Sequence, residues 1–251
     1  MIEVLRRGAG RSADSKYKGL SKAWRRRVLG RRTSVYFWVI FSLLLYAAVS
    51  FTPSGRWVWP VGTFFGGLGA AWLMVPDALM PSHIMNWKLG SWGEQNTASE
   101  LKKLKSEGWV VRHDVKWGRG NHDHVVAGPA VYVLNSKNVK DSEVSIDGTV
   151  VRLSRIDNPD DGYIADRWAP QAVKEARSLQ IELSRALGFP VHVYPIVVVW
   201  GRFDAREAWV GDVALVRGDA ITDWLRSRPA DLLTPKKRER VGAAVRALAC
   251  A

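Results

Sequence analysis

Hydrophobic and polar positions divide the chain into regions of different character. Ser34 to Phe51, SVYFWVIFSLLLYAAVSF, is eighteen residues without a charge, and Trp57 to Val75, WVWPVGTFFGGLGAAWLMV, is nineteen. Both are apolar on every side, with no polar face to meet water. Each approaches the ~20 residues that an α-helix needs to cross a ~30 Å hydrocarbon core. The linker TPSGR between them allows only a tight turn, so the pattern predicts an antiparallel hairpin of two membrane spans, 34–51 and 57–75. Gly62, Gly66 and Ala70 recur every four residues and give the second helix a smooth stripe for close approach to the first. Tyr36, Trp38, Trp57 and Trp59 stand near the ends, where amphipathic rings favour the interface. A cleaved signal peptide fits poorly, because a long charged arm precedes the first span and a second span follows it.

After Val75 the pattern changes to that of a folded lobe. Residues 76–86 read as a linker, with Pro76 and Pro81 stopping helix continuation. Ser91 to Lys105, SWGEQNTASELKKLK, puts Ala98, Leu101 and Leu104 on one face, and Ser91 with Glu94 fits a capping box, which predicts an amphipathic helix closed by Gly108. Strand signals follow in WVVRHDV from Trp109, in HVVAGPAVYVLN broken at Gly128-Pro129, and in VSIDGTVVRL turning at Asp147-Gly148. Pro170 opens a second helix, PQAVKEARSLQIELSRALG, closed by Gly188. VHVYPIVVVW is a β-branched run suited to an interior strand, in which Pro195 should mark a bulge or a strand end. Val213 to Val216 adds a strand, and the stretch after Thr234, with Pro235 in its first turn, a terminal helix. Helix, three or four strands, helix, strand predicts an α/β sandwich with a mixed sheet.

Charge sharpens this picture. From Met1 to Thr33 eleven Lys or Arg stand against two acids, a surplus of nine within a chain total of +13, so everything after Thr33 carries only +4. Basicity is therefore mostly a property of one arm, and it does not by itself make the whole chain a nucleic-acid binder. By the positive-inside rule that arm lies in the cytoplasm, and two crossings return the chain to the same side, a multi-pass membrane arrangement with both termini cytoplasmic. The arm would lie against anionic headgroups, each cation contributing on the order of 1 kcal/mol, with nucleic-acid contact as the other use. A lone Cys250 makes no intramolecular disulfide and no Cys-based zinc site, which suits a reducing compartment.

Candidate chemistry is confined to a few positions. The chain has no GxxxxGK[ST] loop, GxSxG elbow or HExxH pair. In GNHDHVVAGPAVYVLNSKN, Asp123 heads an apolar stretch and Lys137 closes a second one, with Asn135 two places before it. Each has a bland reading: Asp123 as a turn residue, Lys137 as a solvated strand end, Glu94 as the capping residue, Gln171 as a side chain facing water. Lys102, Lys103, Lys105, Arg112, Lys116 and Arg119 suit either a phosphate backbone or a solvated face.

GEQNTASELKKL, GWVVRHDV, GNHDHVVAGPAVYVLNSKN and APQAVKEARSL, in this order and spacing, resemble the successive blocks of the NERD (nuclease-related) domain of the PD-(D/E)xK nuclease superfamily, over about Trp87 to Trp200. The resemblance implies a restriction-endonuclease-like α-β-β-β-α-β core and a metal-dependent phosphodiesterase acting on nucleic acid, DNA above all, with Mg²⁺ or Mn²⁺. It implies metal ligands at Glu94, Asp123 and Asn135 and catalytic roles for Lys137, Gln171 and Asp123. Such hydrolysis needs a divalent cation to offset phosphoryl charge and acidify a water, hard oxygen ligands to hold it, and a positive charge beside the reacting phosphate.

The family carries Asp where this chain has Asn135. The amide keeps one carbonyl oxygen and removes a full charge, so metal affinity should fall; the resemblance implies a site weakened rather than erased, since some active members of the superfamily carry an amide here. His122 and His124 flank Asp123, and strand alternation puts both on the face opposite it, in a structural role. The domain reading is a basic arm (1–33), the hairpin (34–75), the linker (76–86), the nuclease-like domain (87–200) and a strand and helix extension (201–251). Two other functions stay open: a binding or scaffolding module without turnover, motivated by Asn135, and a hairpin that itself carries the function with the lobe as its sensor.

Overall fold

The structure, a computed structural model, describes residues 9–28, 39–44, 46–47, 63–64, 67, 80–118, 120–228 and 233–250. The expected hairpin falls mostly outside the described residues, and among those described no helix is long and apolar enough to cross a membrane. The chain divides into two compact units, Ser15–Trp87, and Met1–Asp14 with Lys88–Ala251. In the first, helix α1 (Arg11–Val28) contributes Lys16, whose ammonium lies 4.3 Å from the centre of the Trp87 ring.

The larger unit is built on one sheet. Strands β1 (Val110–Trp117), β2 (Gly120–Ala127) and β3 (Val131–Asp147) form an antiparallel meander. Two short strands, β4 (Val150–Arg155) and β5 (Gly162–Ile164), extend the far half of β3 as an antiparallel flap. Helix α3 (Trp168–Leu187) then crosses over to β6 (Val193–Arg202), which lies parallel to β3. Next come β7 (Glu207–Val210) and β8 (Val213–Arg217), giving the order β1-β2-β3-β6-β8-β7. With helix α2 (Ser82–Lys105) ahead of β1, the result is a mixed α/β fold with a mixed sheet, and it fits a nuclease-like core. Helices α4 (Ile221–Arg226) and α5 (Pro235–Ala247) complete the lobe, the latter with Thr234 as its N-cap and Pro235 at its first position.

Helices cover both faces. Leu101 and Leu104 of α2, with Ile221 and Leu225 of α4, pack on Val126, Leu134, Ile196 and Val198. On the opposite face Leu179 and Leu183 of α3, with Val241 and Val245 of α5, pack on Val125, Val131 and Val133. Trp168 and Ala172 of α3 cover Val197, Val199 and Leu215. Because β6 is buried on both faces, its sequence is a continuous apolar run without alternation.

Several local expectations need correction. Helix α2 begins at Ser82, so residues 82–86 are helical rather than linker, and Ser91 with Glu94 lies inside the helix and forms no capping box. Pro81 precedes the first turn, where proline is tolerated, and the only breaker before Ser91 is Gly90, which costs about 1 kcal/mol relative to Ala. Strand β3 runs unbroken through SKNVKDSE, because its outer half is an exposed hairpin arm in which polar side chains face water. Pro195 sits within β6, in register with Val133 and without a bulge. It is tolerated because pairing with β8 begins only at the next residue, Ile196 with Ala214, so its missing N–H has no β8 acceptor opposite.

Gly128, in the β2–β3 turn, donates its amide to the Ala130 carbonyl at 2.9 Å. A Cβ there would fall 2.2 Å from the Trp109 ring, which itself stacks on Tyr132. Gly128→Ala is expected to cost about 1–3 kcal/mol by overpacking, read as a lower urea midpoint at unchanged slope.

Candidate functional site

The site arises where β2 and β3 part. Their pairing ends at His124 with Leu134, one step short of Asp123 and Asn135. Backbone donors of β3 beyond that point need other acceptors, and the Asp123 carboxylate takes the Ser136 amide at 2.8 Å. The first strand is also irregular here. Asp114, opposite Asp123 in the register, is the one described non-glycine residue with positive φ, at 49°. Its carboxylate accepts from the Arg11 amide (2.9 Å), the Ser12 hydroxyl (3.1 Å) and Asn121 Nδ2 (2.6 Å), so Arg11 and Ser12 are anchored beside the site.

That kink reverses the pleat. Val111 packs with α2, whereas Val115, four residues on, packs with α3, although residues four apart in a regular strand share a face. The same reversal separates the two histidines that alternation had put on one face. His124 meets His113 ring to ring at 2.8 Å between their Nδ1 atoms. Burial holds both below the ordinary histidine range, with Lys105 and Arg112 adding to His113, which falls to about 4, and His113 adding to His124. They form a neutral, structural pair. His122 instead stacks on Trp117 and points Nδ1 toward Glu175 Oε2 of α3, 3.8 Å away.

Four side chains from β3 and α3 make a connected polar chain. Lys137 Nζ donates to Gln171 Oε1 at 3.3 Å, Gln171 Nε2 donates to Glu175 Oε1 at 2.9 Å, and Asn135 Nδ2 donates to the same oxygen at 3.1 Å. Gln171 and Glu175 reach one target because residues four apart share a helix face. Lys137 is half-buried, and its bond to the exposed Gln171 forms the solvent-facing end of this network.

Electrostatics tie Glu94 and Asp123 to the same place. Burial pushes Glu94 up to about 9, helped by the negative charges of Asp123 and Asp114 and opposed by a backbone hydrogen bond from Gly10 and by Lys137. Asp123 rises to about 7, again mainly through burial, with the Ser136 amide and Lys137 pulling it down and Glu175 and Asp114 pushing it up. A buried carboxyl group raised by its acidic neighbours in this way favours either a proton or a cation beside it.

The donor set suits a hard divalent cation. Glu94 Oε2, Asn135 Oδ1 and Glu175 Oε2 are all buried without a hydrogen-bond partner, and orphaned buried oxygens of this kind are rare. Among the described residues no three His, Cys, Asp or Glu side chains are grouped so that they could together hold a metal ion. An open set of one or two carboxylates completed by water and substrate is how Mg²⁺ is usually held.

Of the residues named from the sequence, Asn135 and Gln171 are joined through Glu175, Lys137 bonds to Gln171, and Asp123 and Glu94 lie in the field of Lys137. Glu175 and Asp114 were not among the candidates. Glu175 had a signal: on α3 it falls among the buried positions Trp168, Ala172, Ala176, Leu179 and Leu183, an acid on an otherwise apolar face. Asp114 had none, since nothing in WVVRHDV marks a reversed pleat.

Residues 89–200, just under half of the chain, match the family model described as NERD, nuclease-related domain. A NERD domain thus occupies the region that carries Glu94, Asp123, Asn135, Lys137, Gln171 and Glu175, and the function it points to is nuclease-related. No curated protein and no solved structure matched the chain.

Proposed function

We propose that this chain is a membrane-anchored nuclease, hydrolysing phosphodiester bonds of nucleic acid, DNA first, with Mg²⁺ or Mn²⁺ in a PD-(D/E)xK type site on a restriction-endonuclease-like core. The observation that carries this reading is that, inside the NERD region, a lysine bonded to Gln171 lies in the field of Glu94 and Asp123, two acids raised mainly by burial, with the unpartnered oxygens of Asn135 and Glu175 in the same polar chain.

Asp123, Asn135 Oδ1 and Glu94 would hold the cation, which when bound offsets phosphoryl charge and acidifies a water. Lys137 keeps a positive charge on the β3 side of the site, fixed in direction by the Gln171 carbonyl oxygen, where it opposes the charge that builds on a reacting phosphate. Gln171 orients two neighbours at once, accepting from Lys137 and donating to Glu175.

The anchor rests on the two uncharged stretches, 34–51 and 57–75. Support comes from the described part of the first, where Leu43 and Leu44 are 63% and 65% exposed, as lipid-facing side chains would be. Both termini would be cytoplasmic, with the basic arm on anionic headgroups. Cys250, exposed near the C-terminus, gives a check: it should react with an impermeant maleimide only after the membrane is opened from the cytoplasmic side.

The test of the activity uses the full chain in detergent with single- and double-stranded DNA and RNA. Cleavage with Mg²⁺ or Mn²⁺ that stops on chelation is expected, and failure on every substrate with both ions would sink the proposal. Asn135 favours a second reading, a nucleic-acid-binding or scaffolding module without turnover. Asn135→Asp separates the two, since it should raise cleavage or metal affinity in a weakened enzyme and change little in a pure binder.

A further inference from the structure

We propose that Glu175 of α3 supplies the carboxylate that β3 lacks at Asn135, so that Glu175 Oε2 joins Asp123 and the Asn135 carbonyl oxygen among the groups that would hold the cation. This rests on the metal-dependent reading above and names the ligand that such a site would otherwise be missing.

Burial and bonding carry the argument. Asn135 and Glu175 are each 3% exposed. Glu175 Oε1 is saturated by two neutral donors, Asn135 Nδ2 at 3.1 Å and Gln171 Nε2 at 2.9 Å. Its other oxygen has no hydrogen-bond partner, and neither does Asn135 Oδ1. No Lys or Arg pairs with Glu175 among the described residues; the nearest nitrogen that can carry charge is His122 Nδ1 at 3.8 Å. A buried carboxylate held on one side by amides and left open on the other is costly unless something cationic completes it.

The exchange of residue types also follows a rule. Two carboxylates at hydrogen-bonding distance cannot both ionise. An acid at 175 is therefore compatible with an amide at 135, whose N–H holds the acid in place while its carbonyl oxygen stays available. The charge is conserved and its origin has moved from strand to helix. Glu175 also pushes Asp123 upward, which places both in one field. Lys137 keeps its link to this carboxylate through Gln171 instead of through a neighbour on its own strand.

The experiment titrates Mn²⁺ alone into the full-length chain in detergent and follows the free-ion signal by electron paramagnetic resonance. Wild type, Glu175→Gln, and Glu175→Gln combined with Asn135→Asp are compared, with circular dichroism as the check of fold. Glu175→Gln is expected to weaken Mn²⁺ binding by about 10–100-fold, and the added Asn135→Asp to restore it to near wild type. Binding by Glu175→Gln equal to wild type overturns the assignment and leaves the metal-dependent reading intact. Weak binding that Asn135→Asp fails to restore overturns the exchange and makes Glu175 a positioning residue for Asn135. A wild-type chain that takes up no Mn²⁺ overturns the metal-dependent reading itself, and this inference with it. Should Glu175→Gln not fold, Asn135→Asp alone decides: tighter Mn²⁺ binding together with a lower melting point in chelator supports the proposal, and no change in either overturns it.

Discussion

Lys137→Ala lowers nucleic-acid cleavage by about 10²–10³-fold, the range for loss of one preorganised positive or hydrogen-bonding group at a developing charge, without weakening Mn²⁺ binding. The two halves of this expected result come from one observation. Lys137 lies close enough to Glu94 and Asp123 to pull both carboxyl groups toward ionisation, yet its only described hydrogen bond is to the neutral Gln171 carbonyl oxygen. It is thus a charge in the field of the acidic groups rather than the partner that neutralises any one of them. Removing it takes a cation away from the transition state and equally removes a repulsion from a bound metal. Single-turnover cleavage and a metal titration on the same preparation check both. A variant that cleaves like wild type would remove hydrolysis from the account of this site, and one that loses metal binding along with cleavage would make Lys137 a structural support.

Much of this arrangement was legible before any coordinates. The mixed sheet followed from strand runs bounded by turn residues and from two amphipathic helices, because burial on one face imposes a period that composition alone does not. Asp123, Asn135, Lys137 and Gln171 were legible through their order along the chain. What escaped was of two kinds. Helix α2 starts at Ser82 because pairing Ser91 with Glu94 as a cap is a local rule, and the nine residues before it had no strong breaker to stop them from joining the helix. Glu175 escaped because the family pattern puts the acid on the strand, whereas a side chain four residues after Gln171 reaches Asn135 from the helix. The reversed pleat at Asp114 is a third case. Its cause is a single positive φ supported by Arg11 and Ser12, more than a hundred residues away in sequence, a contact that no window along the strand contains.

Glu94→Gln removes a loss of stability that wild type undergoes as pH rises. In the folded chain Glu94 is raised from 4.5 to about 9, by burial first and then by Asp123 and Asp114. Above 4.5 the unfolded chain gives up that proton while the folded one keeps it, so the unfolded state binds fewer protons and stability falls as pH rises through the window to about 9. Gln presents an uncharged amide at every pH. The two proteins should therefore be nearly equal at the acid end of the window, and the variant should be more stable at the alkaline end by on the order of a few kcal/mol. His113, held down to about 4 by burial and then by Lys105 and Arg112, destabilises both proteins on the acid side and cancels in the difference. Urea unfolding of the pair in chelator, at several pH values, measures the gap directly. A gap that stays constant would remove Glu94 from the shared field of Asp123. Added Mg²⁺ or Mn²⁺ should narrow the gap by stabilising wild type more than the variant, because the charge that strains the ion-free fold is the charge that a cation would neutralise. The instability of ionised Glu94 and its fitness as a ligand are then one property, seen without and with the ion.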